Sequence, residues 1–495
     1  MMRWIILALV ALAAPAGAAP RDWVNAHRAD LLRDYLPLLA IPNVASNRTD
    51  IRRNADHILA MMTRRGLNPR LLEGEDGQTP PLIYGEWLVP GAQRTLVFYA
   101  HYDGQPVTPS AWTVTPPFEP RLFAGPGHPI ELPSDPAAIL DDMRIYARGA
   151  SDDKAGVFAI LSAVDALRAE GGRPAFNLKI VFEGEEEAGS PHLAALLRRH
   201  RDLLRSDGWI IVDGPAHQSG PPQLALGVRG DVNVELIVYG PMRPLHSGHY
   251  GNWAPNPAMM LARLLASMKD ENGRVTIPGF YDDVVPLTEA EHRAIAAILQ
   301  PDAMLRRELG LGWTEGSGAP LGELIMLPSL NINGMSSADV GERSRNVIPT
   351  TATAALDLRL VLGNIPDRQV ERLVQHISRQ GYEVLDRAPT IEERRRFARI
   401  ATVTHTSGYP AERTPLDHPL ARNLAEAMHR NGPFVLLPGL GGSLPLHVIH
   451  QELGAPSVGL GLWNYDNNQH AEDENVRVGN LMDGIVLIAA VLRGG

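Results

Sequence analysis

The sequence contains no cysteine, no long run of basic residues, no internal repeat and no low-complexity segment. Without cysteine, the chain has no disulfide bonds to stabilise its fold. Lysine and arginine number 46 against 56 acidic residues, a formal charge of -10. This balance argues against nucleic acid as a partner, because a phosphate backbone requires clustered basic side chains. The remaining composition, 44% hydrophobic and 21% charged over 495 residues, is typical of a soluble globular protein with at least two domains.

The N-terminus predicts export. Arg3 precedes a short apolar stretch from Trp4 to Ala14, and the small residues "AGA" follow at 16–18. This pattern is typical of a secretory signal peptide, so we expect residues 1–18 to be removed and the protein to be periplasmic or extracellular. An uncleaved anchor is the alternative, but the apolar stretch is short for a bilayer, so no stable membrane anchor is expected after cleavage.

The first half of the chain predicts an α/β layer. Nearly continuous apolar runs at 94–104, 177–184 and 208–214 are typical of strands buried on both faces of a sheet. Between the first two runs, apolar residues recur with a helical period from 157 to 167 and end at two glycines. Alternating strands and helices indicate a mainly parallel sheet flanked by helices.

A different pattern begins near residue 225. The segments 232–238 and 354–360 alternate apolar and polar residues, which indicates a sheet with one buried face. Helical patterns at 256–269 and 366–380 lie near these strands. We therefore predict an inserted α+β domain over 225–405. The first domain is then made of 19–224 and 406–495.

Several residues with metal-binding or acid–base chemistry follow these strands. His101 and Asp103 end one strand on the same face, two adjacent acids follow "ARGAS" within 147–156, Asp213 ends another strand, and His470 lies in a polar loop. Each has a plain alternative: a strand-end histidine, helix-capping acids, turn chemistry, or an exposed histidine. Together they lie where open α/β sheets bind ligands.

The segment "VFEGEEEAGS" crowds four glutamates after an apolar strand: Glu183, Glu185, Glu186 and Glu187. Alone, such a charge run is most often a solvated loop. Two divalent cations nearby would make the acids tolerable, because imidazole and carboxylate bind Zn²⁺ and a carboxylate can bridge two ions. With three carboxylate ligands, two dications retain about one positive charge, which acidifies a bridging water.

The ordered motifs "HYDGQP", "WTVTPPFEP", "ARGASDDKAG", "EGEEEAGS", "LHSG", "NVIP", "GGSLP" and "NQHAEDENV" resemble those of the M20 family of metallopeptidases. This family includes carnosinase-like dipeptidases, carboxypeptidases and N-acyl-amino-acid deacylases. The resemblance covers nearly the whole mature chain. It implies a zinc-peptidase-like catalytic domain, with an inserted α+β domain that serves as a lid and in dimerisation.

The resemblance also implies a role for each matching residue. His101 and Asp213 would hold one metal, Glu187 and His470 the other, and Asp152 would bridge them, with a peptide bond to Asp153 that is often cis in the family. Asp103 would orient His101, Glu186 would be the general base, and Glu183 and Glu185 would be bystanders. Two Zn²⁺ ions fit such ligands, while Mn²⁺ or Co²⁺ are alternatives.

The inserted domain holds the implied substrate residues. His246 would reach the tetrahedral oxyanion, commonly from the partner subunit of a homodimer, although His249 is close enough to compete. Arg359 would bind a substrate carboxylate, or else form a structural ion pair with Asp357. The segment "GLGGSLP", with Gly442 and Ser443, would contact the same carboxylate.

The expected function is hydrolysis of an amide bond next to a free carboxylate in a small peptide. The alternatives are an N-acyl-amino-acid deacylase with the same site and, remotely, a non-catalytic binding protein. An extra stretch at 124–141 either reshapes the substrate mouth or is a surface loop. The segment before "VIP" also departs from dipeptidase-like relatives, which weakens any specific substrate assignment.

Overall fold

The computed structural model describes residues 20–75, 77, 79–298 and 302–494. The predicted signal peptide therefore lies outside the described residues. The chain divides into two compact units. Unit 1 comprises the described residues up to Pro222 together with Arg422–Phe434 and the chain from Leu460, and unit 2 comprises Gln223–Ala421 and Val435–Gly459. The predicted domain boundaries at 225 and 405 stay a prediction. Among the described helices, none has the length and apolar character needed to cross a bilayer.

In the described part of the chain the helices are α1 (Pro20–Ala26), α2 (Arg28–Leu39), α3 (Arg48–Arg64), α4 (Lys154–Ala169), α5 (Leu193–Arg199), α6 (Arg201–Leu204), α7 (Ser247–Tyr250), α8 (Pro257–Ala266), α9 (Glu289–Ala297), α10 (Asp302–Glu308), α11 (Leu321–Leu324), α12 (Pro366–Arg379), α13 (Ile391–Arg396), α14 (Pro419–Asn431), α15 (Leu446–Leu453) and α16 (Val478–Arg493).

The strands over the same residues are β1 (Arg70–Leu72), β2 (Leu82–Trp87), β3 (Thr95–His101), β4 (Arg121–Phe123), β5 (Arg144–Tyr146), β6 (Asn177–Glu183), β7 (Gly208–Val212), β8 (Gln223–Ala225), β9 (Gly227–Val228), β10 (Gly230–Tyr239), β11 (Leu245–His246), β12 (Ser329–Ser336), β13 (Val347–Ile348), β14 (Thr351–Leu360), β15 (Glu383–Leu385), β16 (Ile400–His405), β17 (Glu412–Arg413), β18 (Val435–Leu437), β19 (Ser457–Gly461) and β20 (Asn475–Arg477).

The strands of unit 1 confirm the predicted α/β layer. Five of them are hydrogen-bonded in the order β1-β2-β6-β3-β7. The central strand β3 pairs in parallel with β6 and β7, so that Phe98 lies opposite Ile180 on one side and Ile210 on the other. All three strands are almost wholly buried, because helices such as α4 cover the sheet. Parallel pairing brings the C-terminal ends of β3, β6 and β7 to one edge.

Helix α4 begins directly after the candidate metal-binding acids. The Asp153 side chain is its N-cap and accepts a hydrogen bond from the Gly156 amide, 3.1 Å away, which satisfies an otherwise unpaired donor. The helix packs against β3 and is buried along most of its length. It ends before Gly171, whose φ of +69° is readily adopted only by glycine. Because α4 is held against β3, the helix determines the direction of the loop before it, which carries Asp152.

The extra stretch at 124–141 belongs to unit 1, and its end is attached to α2. The Arg28 side chain donates a hydrogen bond to the Ile139 carbonyl over 2.8 Å and pairs with Asp141 over 2.6 Å. Residues 124–129 are exposed. These contacts are those of a surface segment that is anchored at its C-terminal end.

Unit 2 contains a five-stranded sheet in the order β12-β14-β10-β16-β15. Strands β10 and β14 are antiparallel, with Val234 opposite Leu356. Alternate residues of β10 are buried, as the sequence predicted, and α8 and α12 pack on the sheet. The two helices lie within the predicted segments 256–269 and 366–380. The alternation of apolar and polar residues therefore corresponds to a sheet with one buried face, and that face forms the core of unit 2.

Candidate active site

The candidate metal ligands from the sequence come together within unit 1. His101 is the last residue of β3, and Asp213 follows β7. Glu186 and Glu187 lie in a short 3₁₀ turn after β6, and Asp152 immediately precedes the N-cap of α4. These elements reach one edge of the sheet because their strands are parallel, which is where such sheets place ligand-binding residues.

His101 is fully buried at the centre of this cluster. Its Nε2 atom lies 3.0 Å from Asp152 Oδ1, 3.6 Å from Asp213 Oδ2 and 3.9 Å from Glu186 Oε2. Its Nδ1 atom lies 3.4 Å from Asp103 Oδ1. The imidazole is therefore oriented by one carboxylate while its other nitrogen faces three more.

The two oxygens of Asp152 face two different histidines. Oδ1 lies next to His101, and Oδ2 lies 3.1 Å from His470 Nε2. His470 Nε2 is also 3.4 Å from Glu187 Oε2. The peptide between Asp152 and Asp153 is cis. Asp152 thus lies between a His101–Asp213 pair and a His470–Glu187 pair.

Asp153 is also close to the cluster. Donor atoms of His101, Asp153 and Asp213 lie within 4.8 Å of one another, as do those of His101, Asp152 and Glu187. The Asp153 carboxylate, however, accepts hydrogen bonds from the backbone amides of His101 and Gly156. Its oxygens are therefore already used in holding α4 to β3.

Asp103 makes contacts that its position two residues after His101 does not reveal. Its carboxylate accepts hydrogen bonds from the backbone amides of Glu186, at 3.0 Å, and Glu187, at 3.1 Å. It is fully buried. One carboxylate therefore positions both the imidazole and the turn that carries the two glutamates.

The remaining glutamates of the acidic segment have structural partners. Glu183 accepts a hydrogen bond from the Tyr99 hydroxyl over 2.6 Å, and Glu185 accepts one from the His192 amide over 3.0 Å. Of the four, only Glu186 and Glu187 face His101 and His470. The four crowded glutamates thus fall into two pairs: Glu183 and Glu185 have structural partners, whereas Glu186 and Glu187 lie near the candidate metal ligands.

Acidic groups outnumber basic ones in the cluster, and burial makes this costly. Burial, with the charge of neighbouring acids, raises the pKa of Asp213 to about 6 and that of Glu187 to about 7. Contact with the Asp152 carboxylate raises the pKa of His470 to about 9. Asp152 Oδ2 is buried without a well-directed hydrogen bond. A divalent cation fits these imidazole and carboxylate donors and would compensate their charge.

The candidates in unit 2 form a second group. Arg359 donates to Ser443 Oγ over 3.3 Å and to Asp357 Oδ2 over 3.1 Å, with Asp231 Oδ1 at 3.7 Å from its Nε. The ion pair with Asp357 considered as an alternative is thus present. The Gly442 carbonyl accepts a hydrogen bond from the Arg229 amide over 3.3 Å.

His246 is exposed, and its Nδ1 accepts a hydrogen bond from the Gly248 amide over 3.1 Å. The His249 ring lies nearby, tilted by 41°, with 4.6 Å between the ring centroids. With Nδ1 an acceptor, Nε2 of neutral His246 carries the proton and is the donor. Among the described residues, His249 has no comparable side-chain hydrogen bond.

Sequence reasoning missed two buried residues, Arg148 and Glu474, which join the loops of Asp152 and His470. Both lie inside motifs that were recognised, "ARGASDDKAG" and "NQHAEDENV". Their opposite charges were a signal, but the partnership depends on contacts between residues 326 positions apart.

The model of peptidase family M20/M25/M40 matches residues 97–494. The β-Ala-His dipeptidase of Rattus norvegicus is 27% identical over 429 residues, covering 84% of this chain and 80% of the relative. The Cys-Gly metallodipeptidase of Schizosaccharomyces pombe is 27% identical over 69% of this chain and 71% of the relative. The structure is similar to that of an M20 family metallo-carboxypeptidase from Sulfolobus solfataricus, with a TM-score of 0.75, 28% identity, and coverage of 94% of this chain and 98% of that one.

These comparisons correct the prediction of export. The matching relatives are dipeptidases such as the yeast enzyme, and none of the similarities supports a periplasmic or extracellular protein. The prediction rested only on the composition of residues 1–18. Its error has a physical reason: a short apolar run beside one arginine is a compositional pattern without any contact or chemistry specific to export.

Proposed function

Because the chain belongs to peptidase family M20/M25/M40 and is a metal-dependent hydrolase of peptide bonds, we propose that it is a di-zinc dipeptidase or carboxypeptidase. In this proposal it cleaves the amide bond next to a free carboxylate in a small peptide. The observation that carries the proposal is the position of Asp152, whose two oxygens face His101 and His470 respectively. A single bridging carboxylate between two histidine–acid pairs suits two ions better than one.

The proposed ligands follow from this geometry. His101 and Asp213 would hold one Zn²⁺, His470 and Glu187 the other, and Asp152 both. When bound, the ions would lower the pKa of a water molecule and polarise the substrate carbonyl. Mn²⁺ or Co²⁺ would suit the same nitrogen and oxygen donors.

Glu186 is the proposed general base. It lies in the same turn as Glu187, its Oε2 is 3.9 Å from His101 Nε2, and its backbone is fixed by Asp103. In this role, its carboxylate takes a proton from the attacking water and returns it to the leaving amine. Burial and neighbouring acids raise the pKa of Glu186, and bound cations would favour its ionised form.

The substrate class is proposed from the relatives and from unit 2. The relatives named above act on β-Ala-His and Cys-Gly, both of which have a free carboxylate. Arg359 is the proposed partner of that carboxylate, because its planar fork suits bidentate binding and Ser443 lies beside it. The carboxylates of Asp357 and Asp231 lie beside Arg359 and would reduce the net positive charge that the substrate carboxylate meets.

A homodimer through unit 2 is part of the proposal. Strand β12 is at the edge of its sheet, and most of its residues are exposed. Elsewhere in unit 2, Trp253 and Val340 are 80% and 83% exposed. Large exposed apolar side chains and an open strand edge are typical of a surface that pairs with another chain. His246 would then act from the partner subunit as a donor to the oxyanion.

The test is metal content with hydrolysis of a panel of dipeptides and N-acyl amino acids, before and after chelation. We expect two ions per chain and chelator-sensitive hydrolysis of dipeptides that Zn²⁺ restores. Glu186→Gln should keep both ions while kcat falls by about 10²–10⁴-fold, the usual contribution of a general base. Preferred cleavage of N-acyl amino acids would indicate the deacylase instead. A folded protein without bound metal would refute the proposal.

A further inference from the structure

Two loops of unit 1 carry proposed ligands of the same ions. The Asp152 loop, residues 148–152, precedes the N-cap of α4, and the His470 loop, residues 467–475, precedes and enters β20. They meet where Asp152 Oδ2 lies 3.1 Å from His470 Nε2. The distance between these atoms depends on how the two loops are held together, because the loops are more than 300 residues apart in the chain.

Glu474 of the His470 loop holds the backbone of the Asp152 loop. The side chain of Glu474 is completely buried. Its carboxylate accepts hydrogen bonds from the backbone amides of Gly149 (2.9 Å), Ser151 (2.8 Å) and Asp152 (2.9 Å), the Ser151 hydroxyl (3.0 Å) and Arg148 Nη1 (2.8 Å). Five donors saturate a carboxylate, and hydrogen bonds to a charged acceptor are the stronger kind.

Arg148 makes the reciprocal contact. From the Asp152 loop, its guanidinium pairs with Glu474 and also donates through Nη2 to the Ala471 carbonyl over 3.1 Å. Ala471 is the residue directly after His470. The guanidinium is nearly buried and lies over the Trp112 ring, 5.2 Å from its centroid. Each loop therefore supplies a charged side chain that binds the backbone of the other.

The His470 loop needs such support. Asn468, His470 and Asp473 have φ angles of +57°, +63° and +58°, the left-handed region that residues with a side chain rarely adopt. Asn, Asp and His enter this region more often than other residues with a side chain, but three of them within six positions need surrounding contacts to hold a single conformation. Strained residues persist where the surroundings determine them, and here Arg148 and Glu474 act together with Thr113 and Val114, which donate hydrogen bonds to the Asp473 carboxylate.

We propose that the Arg148–Glu474 pair is a positioning clamp that sets the separation of Asp152 and His470, and thereby the affinity of the site for its ions. This inference rests on the proposed di-metal function and deepens it. Both side chains are buried against the two loops, so each would act through Asp152 and His470. Residues that orient metal ligands in this way commonly change metal affinity or activity by 10–100-fold when they are substituted.

Glu474→Gln tests the clamp, because it keeps the shape but replaces one acceptor oxygen with an amide donor that faces existing donors. The matched control is Asp165→Asn. Asp165 pairs with the nearly buried Arg65 over 2.6 Å, so the control also removes an arginine–carboxylate pair. It lies on α4, twelve residues after the N-cap Asp153 and therefore about 18 Å along the helix axis.

The measurements are titration of the metal-free protein with Co²⁺, followed by visible absorption, then kcat and KM for a dipeptide, and melting of the metal-free protein. For Glu474→Gln we expect Co²⁺ affinity and kcat to fall by about 10–100-fold, with KM little changed. Asp165→Asn should also lower the melting temperature but retain wild-type Co²⁺ affinity. Wild-type Co²⁺ affinity in Glu474→Gln, or an equal loss in both variants, would overturn the clamp.

Arg148→Lys keeps the inference testable if Glu474→Gln does not fold. A single ammonium has no rigid fork to reach both Glu474 and Ala471, so Co²⁺ affinity should fall by about 10-fold, and an unchanged value would contradict the clamp. Failure of the proposed function looks different. In that case the wild-type protein itself would bind no Co²⁺ and hydrolyse no dipeptide, which would overturn both inferences.

Discussion

Asp103→Asn is the substitution whose effect follows most directly from the structure. The Asp103 carboxylate accepts hydrogen bonds from the amides of Glu186 and Glu187 at 3.0 and 3.1 Å and lies 3.4 Å from His101 Nδ1. A hydrogen bond to a charged acceptor contributes about 1 kcal/mol more than one to a neutral acceptor. Asparagine keeps one of these bonds with a neutral acceptor and turns an amide donor toward the other backbone N–H, so that the turn carrying the proposed base loses at least about 2 kcal/mol of support. If transition-state stabilisation falls by the same amount, about 2 kcal/mol, kcat/KM falls by about 30-fold.

The assay is steady-state hydrolysis of a dipeptide by the metal-loaded protein, with metal content measured in the same samples. Asp207→Asn is the matched control, because its carboxylate accepts from the Thr95 amide over 2.7 Å at the opposite end of β3. It should leave kcat/KM within about twofold, as exposed substitutions away from a site usually do. Wild-type kcat/KM and metal content in Asp103→Asn would refute the assigned role of this carboxylate.

Three further outcomes are expected. Asp152→Ala should abolish binding of both ions, since its two oxygens face both histidines; two ions bound with normal affinity would show that another residue bridges them. His246→Ala should lower kcat by about 10²–10³-fold while metal content is retained. If the two subunits of a dimer share active sites, mixing the His246→Ala and Glu186→Gln proteins should partly restore activity. If each site is complete within one chain, mixing should restore none. Phe158→Ala should lower the free energy of unfolding by about 3–5 kcal/mol in urea denaturation, because the Phe158 ring is buried, 4.6 Å from the ring of Tyr35. Leu88 is 56% exposed, so the control Leu88→Ala should change the free energy of unfolding by about 0.5 kcal/mol or less.

Much of the fold was predictable from local patterns. Continuous apolar runs indicated the strands β3, β6 and β7, which are buried on both faces. Alternating apolar residues indicated β10 and β14, because successive side chains of a strand point to opposite faces of the sheet. Helix boundaries were also close: the predicted 366–380 is observed as Pro366–Arg379. The first helix, α1, was not predicted, because its seven residues are too few to display a clear helical period.

The sequence by itself determined which residue types stand at the ends of the strands and therefore which chemistry is available there. Strand ends are local features, and the ordered motifs identify the family. The family motifs implied that Asp152 bridges the metals and that Glu185 does not bind them. Only the tertiary structure decided which contacts the other acids make: Asp153 caps α4, and Glu185 pairs with His192. Only the tertiary structure joined Arg148 to Glu474. The physical reason is that hydrogen bonds depend on separations of a few ångströms, which residues hundreds of positions apart acquire only when the chain has folded.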